Sequence, residues 1–261
     1  MVNLKNISFY WYRRGRFKLL SHYNKEEVKQ YVQRENNVVL SWLNNYLFKN
    51  TPNLNSILTM NVNKVLVCDI ARDLGLNVPQ HIITTQKNDV RCFKKKYGTI
   101  ITKSLDGLPG FQFSDKNCSS KTQLLSEKDI KRCPDTFSPS LFQEYITKKF
   151  EIRTFFIKDS FYSSAIFSQN DLQTSVDFRN YNREKPNRVI PYKLPLPLED
   201  KLRELNSKLL INSGSYDLIK TPQNEFFFLE VNPIGQFAQV SIPCNYYLEK
   251  NIAKIISQCD E

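Results

Sequence analysis

Glycine is scarce, with 7 in 261 residues. A chain so poor in the residue that tolerates left-handed backbone is not collagen-like, a flexible linker or a low-complexity array. Histidine is scarcer, with only His22 and His81, which disfavours a zinc site. Neither histidine sits in a recognisable nucleophile context. Cys68, Cys92, Cys118, Cys133, Cys244 and Cys259 form no CxxC pair. The N-terminus, MVNLKNISFYWYRRGRF, has no uninterrupted apolar region and no small-residue cleavage site of a signal peptide. Free thiols in a reducing, cytoplasmic setting are therefore the better reading than three disulfides. No apolar run approaches the roughly 20 residues that span a bilayer, so no membrane is expected.

What is present is ordinary globular material with an excess of positive charge. Hydrophobic residues make up 41% and charged residues 24%, which argues against wholesale disorder. The 37 basic and 26 acidic side chains leave +11, a charge that favours anionic partners: nucleotides, nucleic acid, anionic lipid or an acidic peptide.

The pattern along the chain is α+β. ISFYWY at 7–12 reads as a strand, ending in the basic turn Arg13–Arg16. A helix follows from Asn24, with an N-x-x-E capping box to Glu27 and apolar residues at helical spacing from Val28 to Leu47. Thr51-Pro52-Asn53 breaks it. A second helix is predicted from about Asn63 to Leu74 with Gly75 as its C′ residue, then a strand His81–Thr84, then a basic helix ending at Tyr97-Gly98. TIITKSL and GFQF read as two strands around a glycine-bearing turn. FEIRTFFIKDSFYSSAIFSQ reads as a hairpin turning at Asp159-Ser160, residues 169–197 as a long polar loop, and Leu198–Leu210 as a helix. A second hairpin, SGSYDLIK-TPQN-EFFFLEV, and a helix from Asn245 to Gln258 close the chain.

The second hairpin carries the most chemistry. With Thr221–Asn224 as the turn, Lys220 pairs with Glu225 and Asp217 lies opposite Phe228, with Glu230 its diagonal neighbour. Period-two alternation then puts 217, 228, 230 and 232 on one face, and Phe227, Leu229 and Val231 in a core. Asp217, Glu230 and Asn232 converge, and like charges this close repel unless a cation sits between them. Such hard oxygen donors suit Mg²⁺ with bound phosphates; the alternative is a solvated face salt-bridged to basic residues. Lys103, inside an apolar strand before Asp106-Gly107-Leu108-Pro109-Gly110, can reach a phosphate, or can simply blunt a sheet edge. Gln143-Glu144-Tyr145-Ile146 offers extended backbone to a purine edge, and Glu151 and Arg153 follow as acceptor and cation.

The order of these pieces, with Lys64 ahead of them and D-F-R at Asp177–Arg179, resembles the ATP-grasp superfamily. FYWYRRG, AIFSQ, QTSVDFRNYN, NRVIPYKLP, GSYDLI, FLEVNPIGQF and PCNYYLEK resemble one branch, the grasp-with-spasm peptide maturases, relatives of the graspetide (microviridin-type) synthetases. That resemblance implies two α+β subdomains clasping ATP. It implies residues 1–55 as a shortened pre-ATP-grasp domain and 56–261 as the ATP-grasp domain, divided into a nucleotide lid at about 56–140 and a metal and substrate subdomain at 141–261. It implies that Lys64 and Lys103 contact ATP phosphates, that Gln143, Glu144, Tyr145 and Ile146 contact adenine, and that Glu151 binds ribose. Arg153, Asp177 and Arg179 would serve the acyl phosphate and acceptor carboxylate, and Asp217, Glu230 and Asn232 would hold Mg²⁺, with Mn²⁺ as a substitute. The implied activity is ATP-dependent activation of Asp or Glu side chains in a ribosomal precursor peptide, closing ω-ester or ω-amide rings. The implied partners are that leader-bearing peptide and a radical SAM/SPASM enzyme; a homodimer is compatible. The alternatives are an ATP-grasp ligase adding an amino acid to a peptide carboxylate, and a basic nucleic-acid-binding module. The latter lacks the usual motifs, so no nucleic acid is expected.

Overall fold

The computed structural model describes residues 3–15, 25–105, 110–113, 116–119 and 122–258, with backbone alone for 110–113 and 116–119. In chain order the elements are β1 (Tyr10–Trp11), α1 (Glu26–Asn50), β2 (Asn53–Leu54), α2 (Lys64–Asp73), β3 (His81–Gln86), α3 (Lys87–Tyr97) and β4 (Ile100–Lys103). Then come β5 (Gly110–Phe113), β6 (Lys116–Ser119), β7 (Gln123–Leu124), α4 (Glu127–Arg132), β8 (Thr136–Glu144), β9 (Phe150–Ile157), β10 (Ser160–Phe167) and β11 (Arg188–Tyr192). The chain ends with α5 (Leu196–Leu209), β12 (Ser213–Lys220), β13 (Phe226–Asn232), α6 (Ala238–Cys244) and α7 (Leu248–Ser257).

Two antiparallel sheets dominate. The first has four strands in the order β3-β8-β4-β7, and α3 and α4 cover it through Val90, Phe93, Ile130 and Phe142. The second has five strands in the order β11-β10-β9-β12-β13. One of its faces buries Phe156, Tyr216, Leu218 and Phe228 against α2 and α5; the other buries Phe155 and Ile157 against α6 and α7. The chain crosses between sheets over Tyr145–Lys149, because β8 runs on to Glu144, past the boundary drawn at about 140.

Central strand β9 is buried along its whole length because both faces are covered. Its alternation does two jobs. Phe150, Ile152 and Phe156 enter one core, while the opposite face carries Glu151 and Arg153 at one end and Phe155 and Ile157 at the other. The polar residues thus share a rigid strand with the apolar ones that fix it.

Local chemistry explains several boundaries. Asn63 caps α2 by accepting from the amides of Val65 and Leu66, and Gly75, at φ +74°, ends it. Gly98, at φ +73°, ends α3. The structure also corrects several expectations. The first strand shrinks to two residues, which pair in parallel with β2. Asn24 and Arg16, like His22 and the turn at Asp106–Pro109, lie outside the described residues; Lys25 is the N-cap of α1 and makes no side-chain cap bond. The helical spacing of α1 buries only Asn44 and Leu47, and leaves Tyr31, Val39 and Trp42 exposed. TIITKSL and GFQF do form strands, but they do not pair with each other: β4 joins β7 and β8, and β5 joins β6. The first hairpin turns at Lys158-Asp159, with Lys158 at φ +50°, because Ser160 already pairs with Ile157. The long polar loop contains β11, which extends the second sheet beside β10. The final helix, α7, starts at Leu248 rather than Asn245, because Asn245 and Tyr247 adopt left-handed backbone. Helices α4 and α6 and strands β2, β6 and β7 were not foreseen. Cys68, Cys92, Cys133 and Cys244 are free thiols, while the side chains of Cys118 and Cys259 lie outside the described residues. Among the described residues no helix is long and apolar enough to cross a membrane.

Asn55 sews the N-terminal segment onto the second sheet. It is buried at φ +58°. Its amide side chain donates to the carbonyls of Ser213 at 2.6 Å and Pro233 at 2.5 Å, and its Oδ1 accepts the amides of Asn212 and Ser213, both at 3.1 Å. Alanine there would strand four partners away from water. Asn55→Ala is expected to lower unfolding free energy by about 3 kcal/mol or more in urea denaturation. A loss below about 1 kcal/mol would show the segment to be independent of the sheet.

Candidate active site

A register shift in the second hairpin sets the geometry. Lys220 pairs with Phe226, not with Glu225, and a bulge lies between the pairs Asp217–Glu230 and Leu218–Phe228. Leu229 is the extra residue. It rotates the alternation, so Phe228 and Val231 enter the core while Leu229 and Glu230 both face the cleft. Asp217 therefore lies directly opposite Glu230, closer than a diagonal pair, and Phe228 does not share their face. On the other side Asp217 is paired with Arg153 of β9.

These carboxylates are embedded in cations. Arg153 Nη1 donates to Asp217 Oδ1 at 2.5 Å in a buried pair. Lys64 Nζ donates to Glu230 Oε2 at 2.9 Å, and Arg179 Nη1 to Glu230 Oε1 at 3.1 Å. Arg179 also grips Asp177 through Nε at 2.9 Å and Nη2 at 2.8 Å, in the two-point fashion of guanidinium and carboxylate. Thr122 Oγ1 donates to the same Asp177 at 3.0 Å.

Burial alone would raise the Glu230 pKa, but Lys64, Arg179 and Lys103 pull it down to about 2. For Asp217 burial wins, and its pKa stays raised despite Arg153. Desolvation lowers the Lys103 ammonium, with Glu230 opposing. Asp177 goes down, the bonds from Arg179 outweighing burial.

Lys103, the segment Gln143–Ile146, Glu151, Asp177, Arg179, Asp217 and Glu230 all line one cleft. Its cavity volume is about 60 Å³, below the roughly 300–1,000 Å³ of small-molecule sites. The remaining expected residues lie beside it. Arg153 reaches it through Asp217, Lys64 through Glu230, and Asn232 lines an adjoining groove with Lys64 while its Oδ1 accepts the Ile234 amide at 3.1 Å. In the Gln143–Ile146 segment the Glu144 amide is committed to Gln80 O and the Tyr145 amide to Thr99 O, both at 2.9 Å. Glu151 is not idle: Lys148 donates to its Oε1, and Ser168 Oγ donates to the same oxygen at 2.8 Å.

Sequence reasoning missed Lys148, Thr122 and Phe178, all of which line the cleft. Lys148 had a signal, a lysine three residues before a strand glutamate at the mouth of a hairpin. Thr122 had none, because its partner Asp177 is 55 residues away.

Among the described residues no group of three or more His, Cys, Asp or Glu side chains could hold a metal. Two facing carboxylates and the nearby Asn232 carboxamide do fit a hard cation whose remaining ligands are phosphate oxygens. Arg153 Nε is buried with no protein partner, a donor left for an anion.

Two antiparallel sheets clasping this cleft make the ATP-grasp fold. Solved structures that resemble the chain include ATP-grasp ligases of ribosomally synthesised, modified peptides (RiPPs), the branch whose motifs the sequence resembles. The macrocyclase MdnC from Microcystis aeruginosa MRC, solved with precursor peptide MdnA, is 26% identical with a TM-score of 0.79, over 98% of this chain and 80% of that one. A RiPP-associated ATP-grasp ligase of Chryseobacterium gregarium, solved with ADP and a leader and core peptide, is 22% identical with a TM-score of 0.73, over 98% and 77%. The ATP-grasp ligase PsnB, solved with a minimal precursor, is 19% identical with a TM-score of 0.74, over 97% and 78%. No protein-family model and no curated protein matches the chain.

The Arg153–Asp217 pair yields a prediction that needs no ligand. Removing one partner leaves a buried charge, so Arg153→Leu or Asp217→Leu should each cost about 3–5 kcal/mol, whereas the double leucine variant should recover most of that loss. A double-mutant cycle in urea is the check; additive losses would mean that the two groups do not depend on each other.

Proposed function

We propose that the chain is an ATP-dependent, ADP-forming ligase that activates Asp or Glu side chains of a ribosomal precursor peptide as acyl phosphates and closes ω-ester or ω-amide crosslinks. The observation that carries this reading is the convergence, on one cleft between two sheets, of a lysine, the Gln143–Ile146 segment, a D-x-R pair and two facing carboxylates. The peptide-bound macrocyclase it resembles supports the substrate class.

The purine lies along Gln143–Ile146. With the Glu144 and Tyr145 amides committed, the next amide, Ile146, is the donor offered to its edge. Glu151 accepts from the ribose hydroxyls, and Lys103 and Lys64 neutralise the phosphates. Asp217, Glu230 and Asn232 would hold Mg²⁺, which when bound would neutralise phosphate charge. A carboxylate oxygen of the peptide attacks the γ-phosphorus, and ADP leaves. A hydroxyl or amine of the same peptide then attacks the acyl carbon, phosphate departs, and the nucleophile's proton leaves with it or passes to solvent. Each ring thus removes one water from the peptide. No protein nucleophile is required, because the chemistry rests on positioning and charge. Arg153 and Arg179 supply that charge, and Asp177 aims Arg179.

Incubation with Mg²⁺, ATP and a leader-bearing precursor should give peptide lighter by one water per ring, together with ADP. Glu230→Gln keeps size and removes one ligand charge. It should abolish Mg²⁺-dependent ADP release while leaving the fold intact; Glu225→Gln, at the exposed turn of the same hairpin, should leave activity at wild-type level. Unchanged turnover in Glu230→Gln would remove the hairpin from the site.

Arg179→Lys keeps the charge but loses the two-point grip. Nucleotide affinity by calorimetry should stay near wild type, while ring formation is lost. Wild-type cyclisation by this variant would shift the acceptor anchor to Arg153 or Arg188.

A further inference from the structure

Lys148 has no role in the scheme above, yet it is among the most deeply buried charges in the chain. Its side chain is 2% exposed, and the partner carboxylate of Glu151 is 7% exposed. Burying an ammonium and a carboxylate together is a poor source of stability compared with apolar packing. The pair therefore needs another reason. Its hydrogen bonds supply one. Lys148 donates to Glu151 Oε1 and, at 3.0 Å, to the carbonyl of Val176. Val176 immediately precedes Asp177, the residue that holds Arg179. Ser168, which also bonds Glu151, is tied to the same segment, since Thr174 Oγ1 donates to the Ser168 carbonyl at 3.0 Å. One ammonium thus bridges two walls of the cleft.

We propose that Lys148 is a positioning residue that fixes the Glu151 carboxylate toward the nucleotide sugar and, through the Val176 carbonyl, sets the backbone from which Asp177 and Arg179 reach the acceptor carboxylate. The inference rests on the reading of the cleft as a nucleotide site. With both bonds falling on Oε1, the other oxygen of Glu151 is turned to the ribose. Glu151 is pushed up by burial and pulled back by Lys148, so loss of the lysine would also favour a protonated carboxyl that accepts poorly. A site built to hydrogen-bond a hydroxyl rejects the analogue that lacks it. Lys148 therefore governs discrimination between ATP and 2′-deoxy-ATP.

The test is calorimetric titration of wild type and Lys148→Met with ATP and with 2′-deoxy-ATP, without peptide. Wild type should prefer ATP by about tenfold or more. In Lys148→Met the preference should collapse to near unity through loss of ATP affinity alone, and Glu151→Gln should do the same. If Lys148→Met does not fold, Lys148→Gln, which keeps a donor and loses the charge, is read in the same way. Equal weakening of both nucleotides, with the preference kept, would make Lys148 a merely structural residue and overturn the proposal. A second readout is kcat for precursor-stimulated ADP release at saturating ATP. It should fall in Lys148→Met, since the lysine holds the Val176 carbonyl; a kcat at the wild-type level in Lys148→Met would overturn the link to Asp177 and Arg179. A wild-type chain that binds ATP with the expected preference but ignores every precursor would count against the peptide substrate and leave the sugar-positioning role standing.

Discussion

Two carboxylates facing each other in a protein interior repel, and the layout of this cleft follows from containing that repulsion. The bulge at Leu229 brings Asp217 and Glu230 opposite one another. A like-charge pair at that spacing would be destabilising by itself. Here each acid has its own cation: Arg153 from the neighbouring strand for Asp217, and Lys64 from α2 together with Arg179 for Glu230. The helix, the central strand and the 168–187 segment are therefore bound to the hairpin by charge as well as by apolar contact.

The placement of these charges depends on the apolar framework. Arg153 can meet Asp217 because β9 and β12 are adjacent and their odd-numbered side chains share a face. The even-numbered face of the same strands is packed with Phe156, Tyr216 and Leu218. A one-residue slip between β9 and β12 would bury the charges in that core and turn the aromatics toward the cleft, so the core enforces the register of the site. Gly235 contributes at the loop after β13. A Cβ there would lie 2.9 Å from the Ser215 amide nitrogen, so only glycine lets that loop close over β12. Arg13 then clamps it, donating to the Gly235 carbonyl at 3.0 Å while its guanidinium lies 5.0 Å from the Trp11 ring centroid.

Legibility followed the range of the interaction. Elements set by local signals were readable: Asn63 and Gly75 bracket α2, Gly98 ends α3, and period-two runs mark β9, β10 and β12. The α+β class and the ATP-grasp fold were readable as well, the fold through motif order. What escaped was decided at a distance. The bulge at Leu229 has no glycine to announce it, so a regular register was the natural expectation and Phe228 was put on the wrong face. Strand β11 is short, follows a polar stretch and bears Pro191; it is a strand because β10 offers it an edge. Helix α6 contains Pro243 near its C-terminal end and exposes Ile242, so its pattern is weak. Thr122 was invisible because its partner Asp177 lies 55 residues away, and of the two bonds of Lys148 only the local one, to Glu151, left a signal in the sequence, the other reaching Val176 28 residues on.

The two oxygens of Glu230 show how such a site divides fixed from exchangeable charge. Oε2 takes Lys64, whose helix packs on the sheet that carries Glu230; Oε1 takes Arg179, which is 48% exposed and sits in a segment without regular structure. Any cation that binds Glu230 competes with one of these two groups. Displacing Lys64 would move a side chain anchored on a framework helix, whereas displacing Arg179 costs less, because a half-exposed guanidinium regains water and keeps both bonds to Asp177. The oxygen facing Arg179 is thus the one that can change partner at least cost, and Asp177 keeps the freed guanidinium at the cleft rather than letting it swing into solvent.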